Sequence, residues 1–314
     1  MKRLFSMLYI LLSVTIAECA YSKNSTEWTQ YEQGILNVFY LDYDKAMAAL
    51  RPLAENGKSR AARLIGGIHH YGLGVHKDTK EARKWYLMAL KIDNDSRAKN
   101  SIGLTYKHDG DTTRAMRWFR EAANDGNADA YHNIARYYSA KKDNQEAAKW
   151  YQKAADNNHA GSQHDLAQLY RKGLGVEKDP RIAFKLFRAA ANQNISYSQY
   201  NLASMYFDMS RSKYKKWIPR RNEFRAEAYV WLTLAKVNGI DQATAALSKV
   251  KSSMSDETVA NAEKLLATRT VIIYTSLFNR IRKLTGTSER FISAMFEDNP
   301  EKVLPFFEKM GIPQ

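Results

Sequence analysis

Few residues in this chain could do chemistry on their own, and most of them sit at spacings that catalysis does not use. His69 and His70 could ligate a metal, but adjacent residues of a helix point to different faces and no carboxylate lies at helical ligand spacing from either. The pair therefore reads as one core-facing and one surface histidine. Asp93-Asn94-Asp95 begins like a calcium loop, yet its twelfth position is Leu104 rather than Glu, so it reads as a helix-ending turn. Gly72-Leu73-Gly74 and Gly173-Leu174-Gly175 follow helical patterns rather than strands, which argues against a nucleotide loop. No Gly-x-x-x-x-Gly-Lys-Ser/Thr loop, His-Glu-x-x-His helix or Gly-x-Ser-x-Gly elbow occurs. The single cysteine, Cys19, excludes a disulfide framework, a cysteine zinc cluster and a paired-thiol redox site. The expectation is a non-catalytic chain without metal or cofactor.

One segment does carry a binding chemistry. Residues 211–225 hold seven bases (Arg211, Lys213, Lys215, Lys216, Arg220, Arg221 and Arg225) against Glu223, a net +6 within fifteen residues. The whole chain is +15, so this stretch supplies six of those charges, whereas residues 23–57 are net −2. Tyr214, Trp217 and Phe224 are interleaved with the bases. In a cytosolic protein such a mixture would suit nucleic acid, through phosphate contacts and stacking. In an exported one it would suit anionic lipid, another anionic envelope polymer such as a glycan, or an acidic protein surface. A solvated loop whose charge merely aids solubility is the plainer alternative. The expected binding residues are the seven bases and Trp217.

Positioning such a segment needs a scaffold, and internal repeats supply it. Five segments place a stripe at i, i+4 and i+8: Ala61-Ile65-His69, Ala98-Ile102-Tyr106, Ala130-Ile134-Tyr138, Ser162-Leu166-Tyr170 and Ser198-Leu202-Tyr206. A small residue follows each central aliphatic (Gly66, Gly103, Ala135, Ala167 and Ala203), a notch where a neighbouring helix can approach. A second helix follows each time, with an alanine and a bulky residue three positions later. The pairs are Ala82 with Trp85, Ala115 with Trp118, Ala147 with Trp150, Ala183 with Leu186 and Ala228 with Trp231. At register positions these tryptophans read as inter-helix core rather than a ligand cage. Two longer loops read Gly72-Leu73-Gly74-Val75 and Gly173-Leu174-Gly175-Val176, each followed by an aspartate, Asp78 or Asp179, suited to capping the next helix. In the last repeat the interval from Tyr206 to Ala228 widens to 22 positions, and the basic segment fills it.

On these residues the chain resembles the Sel-1-like repeat (SLR) family of the tetratricopeptide-repeat superfamily. Residues 61–94 and 162–194 carry the fullest match, through Gly66, Gly74, Ala82 and Trp85 in the first and Tyr170 and Gly175 in the second. The start, Asp42 through Gly57, looks like an opening half-repeat, and residues 228–235 look like a closing one. The middle repeats lack the Gly-x-Gly-Val turn, and none of the cysteine positions of the family's cysteine-rich branch is Cys. The resemblance implies an all-α, right-handed superhelical solenoid of helix-turn-helix repeats over 27–240. It also implies a scaffold that holds other proteins, often in the bacterial envelope.

The ends complete the expectation. Met1-Lys2-Arg3 precedes an apolar run from Leu4 to Ala17, then small residues, the pattern of a signal peptide over 1–22 with cleavage after Cys19, Ala20 or Ser22. Glu18, where a lipoprotein needs a small residue, argues against a lipid anchor. Export to the periplasm or beyond follows, and it removes nucleic acid from the expected partners. Residues 241–314 read as a helical cap: Asp241–Lys251, a helix from Ser255 to Arg269, a segment 270–284 apolar then basic, and short helices at 288–297 and 300–310. A composition of 45% hydrophobic and 26% charged residues excludes disorder and multi-span membrane classes.

Overall fold

The computed structural model describes residues 29–285, which form fourteen α-helices and one 3-10 helix, with no strand among the described residues. One compact unit contains α1 (Gln30–Phe39), α2 (Tyr43–Glu55), α3 (Ser59–Tyr71) and α4 (Thr79–Asp93). A second contains α5 (Ser96–His108), α6 (Thr112–Asn124), α7 (Ala128–Ala140), α8 (Asn144–Asp156), α9 (Ala160–Lys172) and α10 (Pro180–Asn192). It continues through α11 (Ser196–Arg211), the 3-10 helix Lys215–Arg220, α12 (Arg221–Val237), α13 (Gln242–Lys251) and most of α14 (Asp256–Thr285). Helices α1 to α12 pack in successive pairs, the arrangement of a helical solenoid. The signal segment 1–22 and the helices expected at 288–297 and 300–310 lie outside the described residues.

Local sequence explains where the helices begin and turn. Asp42, Asp95, Asp111, Asn127, Asp143 and Asp179 stand at N-caps, each side chain accepting from a backbone N–H two or three residues on. Asp78 does the same for the start of α4, accepting from Lys80 N and Glu81 N at 2.9 Å each. Such caps contribute about 1 kcal/mol apiece. Each second helix hands over to the next element through one left-handed residue: Gly57, Asn94, Gly126, Asn158, Asn194 or Gly239. Asn94 thus makes the helix-ending turn expected of Asp93-Asn94-Asp95. Gly74 and Gly175 also have positive φ, and each meets the preceding pair's turn. A Cβ on Gly74 would fall 2.5 Å from Leu41 O, and one on Gly175 would strike the Asn144 backbone.

The notches are filled, but not by the tryptophans. A Cβ on Gly66 would lie 2.6 Å from the Tyr86 ring, and one on Gly103 2.6 Å from the Phe119 ring. Tyr86, Phe119, Tyr151 and Phe187, each one residue beyond the expected bulky position, are the buried rings of α4, α6, α8 and α10. Trp85, Trp118 and Trp150 are half-buried beside them. The smaller ring fits a notch closed to a bare glycine, while a tryptophan set one position back keeps its N–H near a partner, as Trp85 does by donating to Glu81 Oε1 at 3.1 Å. Trp231 alone of these tryptophans is fully buried, in the cluster that joins α12 to α13 and α14. Ala82 is fully buried and Tyr170 half-buried.

His70 is the core-facing histidine, stacked on Tyr71 at 4.5 Å, and His69 keeps part of its surface in solvent but is half-buried against Tyr43 at 5.8 Å. Three further differences from the sequence reading have plain causes. The opening half-repeat is a whole pair: α1 starts on a capping box between Thr29 and Glu32, and Gly34 lies against Leu50 of α2. Helix α14 runs unbroken through Arg269 to Thr285, because no glycine or proline interrupts it. The basic segment is no loop: α11 extends to Arg211 and α12 begins at Arg221, seven residues before Ala228.

Candidate interaction site

The basic segment is built from the end of α11, the 3-10 helix and the first turns of α12. Arg211 closes α11, Ser212 to Tyr214 form a short link, and Lys215–Arg220 wind once more before α12. A file of aromatic rings fastens it to the core. Phe184 meets Tyr206 at 5.2 Å between centroids, Tyr206 meets Phe224 at 6.3 Å, Phe224 meets Trp217 at 6.1 Å, and Trp217 meets Tyr214 at 5.5 Å. Phe224 is 4% exposed and Tyr214 is 68% exposed, so the file runs from core to solvent. The spacing explains the ladder, since residues three apart in a 3-10 helix stand one above the other, as Tyr214 and Trp217 nearly do.

The seven bases divide by what they touch. Arg220 forms a two-point ion pair with Glu223 at 2.7 and 2.6 Å and lies over the Phe224 ring at 5.0 Å. Arg221 donates to Ser212 O at 3.1 Å, tying the link to α12, and Arg225 donates to Asn222 Oδ1 at 3.3 Å. Arg211, Lys213, Lys215 and Lys216 are exposed, and no ion pair among the described residues engages them. Arg211 lies over Phe207 at 5.7 Å and Lys216 over Trp217 at 5.8 Å. Arg221 and Arg225 keep their charge but are half-buried, so the four exposed cations outside any ion pair are those around Tyr214 and Trp217. Ile218, 45% exposed, lies among them.

The sequence reading missed a set of largely buried polar side chains that bond the first helices of successive repeats. Asn133 of α7 donates to Asn100 of α5 at 3.0 Å, and His132 Nδ1 lies 2.9 Å from Ser162 Oγ of α9. His164 of α9 lies 2.7 Å from Ser198 Oγ of α11, and Arg171 donates to Asn201 at 3.0 Å. These bonds run from one repeat to the next. Arg136 and Lys107 stand on the same helices, and burial with the charge of Arg136 beside it pushes the Lys107 ammonium down. Burial, then the charge of His159 and of two nearby cations, holds His132 well below the usual imidazole range. Burial and, less, Arg171 push His164 down to about 4. A period of about 32 residues between polar positions is the only signal in the sequence, and it is buried beneath the stronger alanine register.

A third polar group joins α12 to α14. Glu227 accepts from Arg269 at 2.9 Å and from Trp231 Nε1 at 3.0 Å, and the guanidinium lies over the Trp231 ring at 4.8 Å. Burial raises the Glu227 carboxyl despite that pairing, and burial with the Glu227 charge pushes Tyr206 up to about 12. Among the described residues no cluster of three or more His, Cys, Asp or Glu could hold a metal, and no helix is long and apolar enough to cross a membrane.

Sel1 repeats are matched at residues 59–94, 102–127, 128–159, 160–195 and 196–208. A search of curated proteins found no match. Among solved structures, a protective antigen of uropathogenic Escherichia coli displaying an SLR fold is similar at 22% identity with a TM-score of 0.60, over 81% of this chain and 55% of that one. This chain thus spans about half the length of that antigen. A Sel1 repeat protein from Oxalobacter formigenes is similar at 24% identity with a TM-score of 0.56, over 76% of this chain and 99% of that one. Both likenesses concern the fold. Sel1 repeat proteins in general mediate protein–protein interaction and are in general non-catalytic. With its repeats matched five times in succession and its helix pairs stacked in the same way, the part of the chain from residue 59 to 208 belongs to the Sel1-like repeat family.

Proposed function

We propose that this chain is an exported, non-catalytic scaffold that binds another protein in or beyond the bacterial envelope. The observation that carries the binding reading is the run of matched Sel1 repeats, since proteins built from them in general mediate protein–protein interaction. Arg136 of α7 and Lys107 of α5, whose side chains reach solvent although neighbouring groups partly desolvate Lys107, are the charged contacts assigned to the partner. Export rests on the basic start and apolar run of residues 1–22. The test is capture of partners from envelope extract by the wild-type chain and by a Lys107→Glu/Arg136→Glu variant, with cell fractionation of a tagged chain. A specific protein retained at high salt and lost with the variant supports the scaffold. Equal capture by both chains overturns the assigned contacts, and a product confined to the cytoplasm overturns export.

A further inference from the structure

The tip formed by the basic segment has a chemistry distinct from that of the repeat face. It joins four unpaired cations to two apolar side chains, Tyr214 and Ile218, held in solvent at 68% and 45% exposure. An acidic protein segment would need the cations alone. The combination fits a lipid interface, where an aromatic ring and an aliphatic side chain settle at headgroup depth while lysines and arginines meet lipid phosphates. The tip is also pre-formed. Arg221 fixes the Ser212 carbonyl, and Trp217 rests edge-on against the buried Phe224, so the exposed groups are presented without a folding cost at the moment of contact. Two signals of this kind, charge and apolar contact, are what reversible attachment to a membrane surface requires.

We infer that residues 211–218 dock the chain peripherally on an anionic lipid surface. The cations supply long-range attraction, and Tyr214 and Ile218 the short-range contact. This site does not depend on the protein partner proposed above, and its test needs none.

The experiment is co-sedimentation of the full chain with vesicles mixing phosphatidylcholine and phosphatidylglycerol, against phosphatidylcholine alone as the baseline. Three chains are compared: wild type, a Lys213→Gln/Lys215→Gln/Lys216→Gln variant and a Tyr214→Ser/Ile218→Ser variant. All five substituted side chains are exposed, so thermal unfolding should be unchanged and any loss belongs to binding. Each lysine removed should lower partitioning onto the anionic vesicles about fivefold, roughly 100-fold for three, with a weaker salt dependence. The Tyr214 and Ile218 variant should bind several-fold less while keeping the wild-type salt dependence. Two results overturn the inference: wild-type binding to anionic vesicles no greater than the baseline, or equal binding by the triple variant. A third is capture of polyglutamate at salt concentrations where anionic vesicles are left behind, which would assign the tip to acidic protein.

Discussion

Replacing Arg269 with methionine tests whether the ion pair with Glu227 anchors the C-terminal helix to the last repeat. The side chains are 22% and 16% exposed and meet at 2.9 Å. At an effective dielectric near 20 that separation is worth about 6 kcal/mol of gross attraction, most of it offset by the desolvation of both ions. Removing one partner is different, because the carboxylate stays buried beside Trp231 and Tyr206 without its counter-charge. The expected loss is about 3 kcal/mol, read by chemical denaturation of the full chain. An Arg269→Met/Glu227→Gln double variant keeps an acceptor for Trp231 Nε1 and removes the stranded charge, so it should lose only about 1 kcal/mol. The pH dependence follows from the raised Glu227 carboxyl. A carboxyl raised on folding contributes stability that is full below its unfolded value of about 4.3 and lost as pH rises through the folded one. Without Arg269 the folded value rises further, so the single variant's deficit should grow as pH rises above the unfolded carboxyl value. A single variant as stable as the double, or a deficit flat above that value, would refute the reasoning.

Other expectations follow from the packing. Gly103→Ala puts a Cβ 2.6 Å from Phe119 and should cost about 2 kcal/mol in denaturant melts, with part recovered on adding Phe119→Leu. Gln199, fully buried, donates to Asn194 at 3.1 Å and accepts from Asn238 at 2.9 Å, so Gln199→Ala should cost about 2 kcal/mol and loosen hydrogen exchange in α11 and α12. His164 is pushed down to about 4, below its unfolded value, so stability present above about pH 6.5 is lost as pH falls toward 4, by about 3 kcal/mol. His164→Gln should flatten that component relative to wild type, and identical pH profiles would count against a buried neutral imidazole.

The site was partly legible in the sequence. Density of charge and interleaved aromatics marked residues 211–225, because composition survives any fold. Their conformation was not legible, since nothing short of packing distinguishes a basic loop from a 3-10 helix held by Phe224. The first helix α1 escaped notice because Gly34-Ile35 lacks the alanine register that marks the later repeats, although Gly34 makes the same kind of close contact with Leu50. The polar ladder of His132, His164 and Asn133 was invisible for another reason. Its partners lie about 30 residues away in neighbouring repeats, and no local pattern reports a bond of that range.

What the sequence determined alone was whatever depends on local physics: helices from alanine-rich periodicity, their starts from aspartate caps, their turns from glycine and asparagine. Tertiary structure decided which aromatic fills each notch, which histidine is buried and which four of the seven bases stand exposed outside any ion pair. Those outcomes depend on distances between residues remote in the chain, and such distances exist only once the helices have stacked.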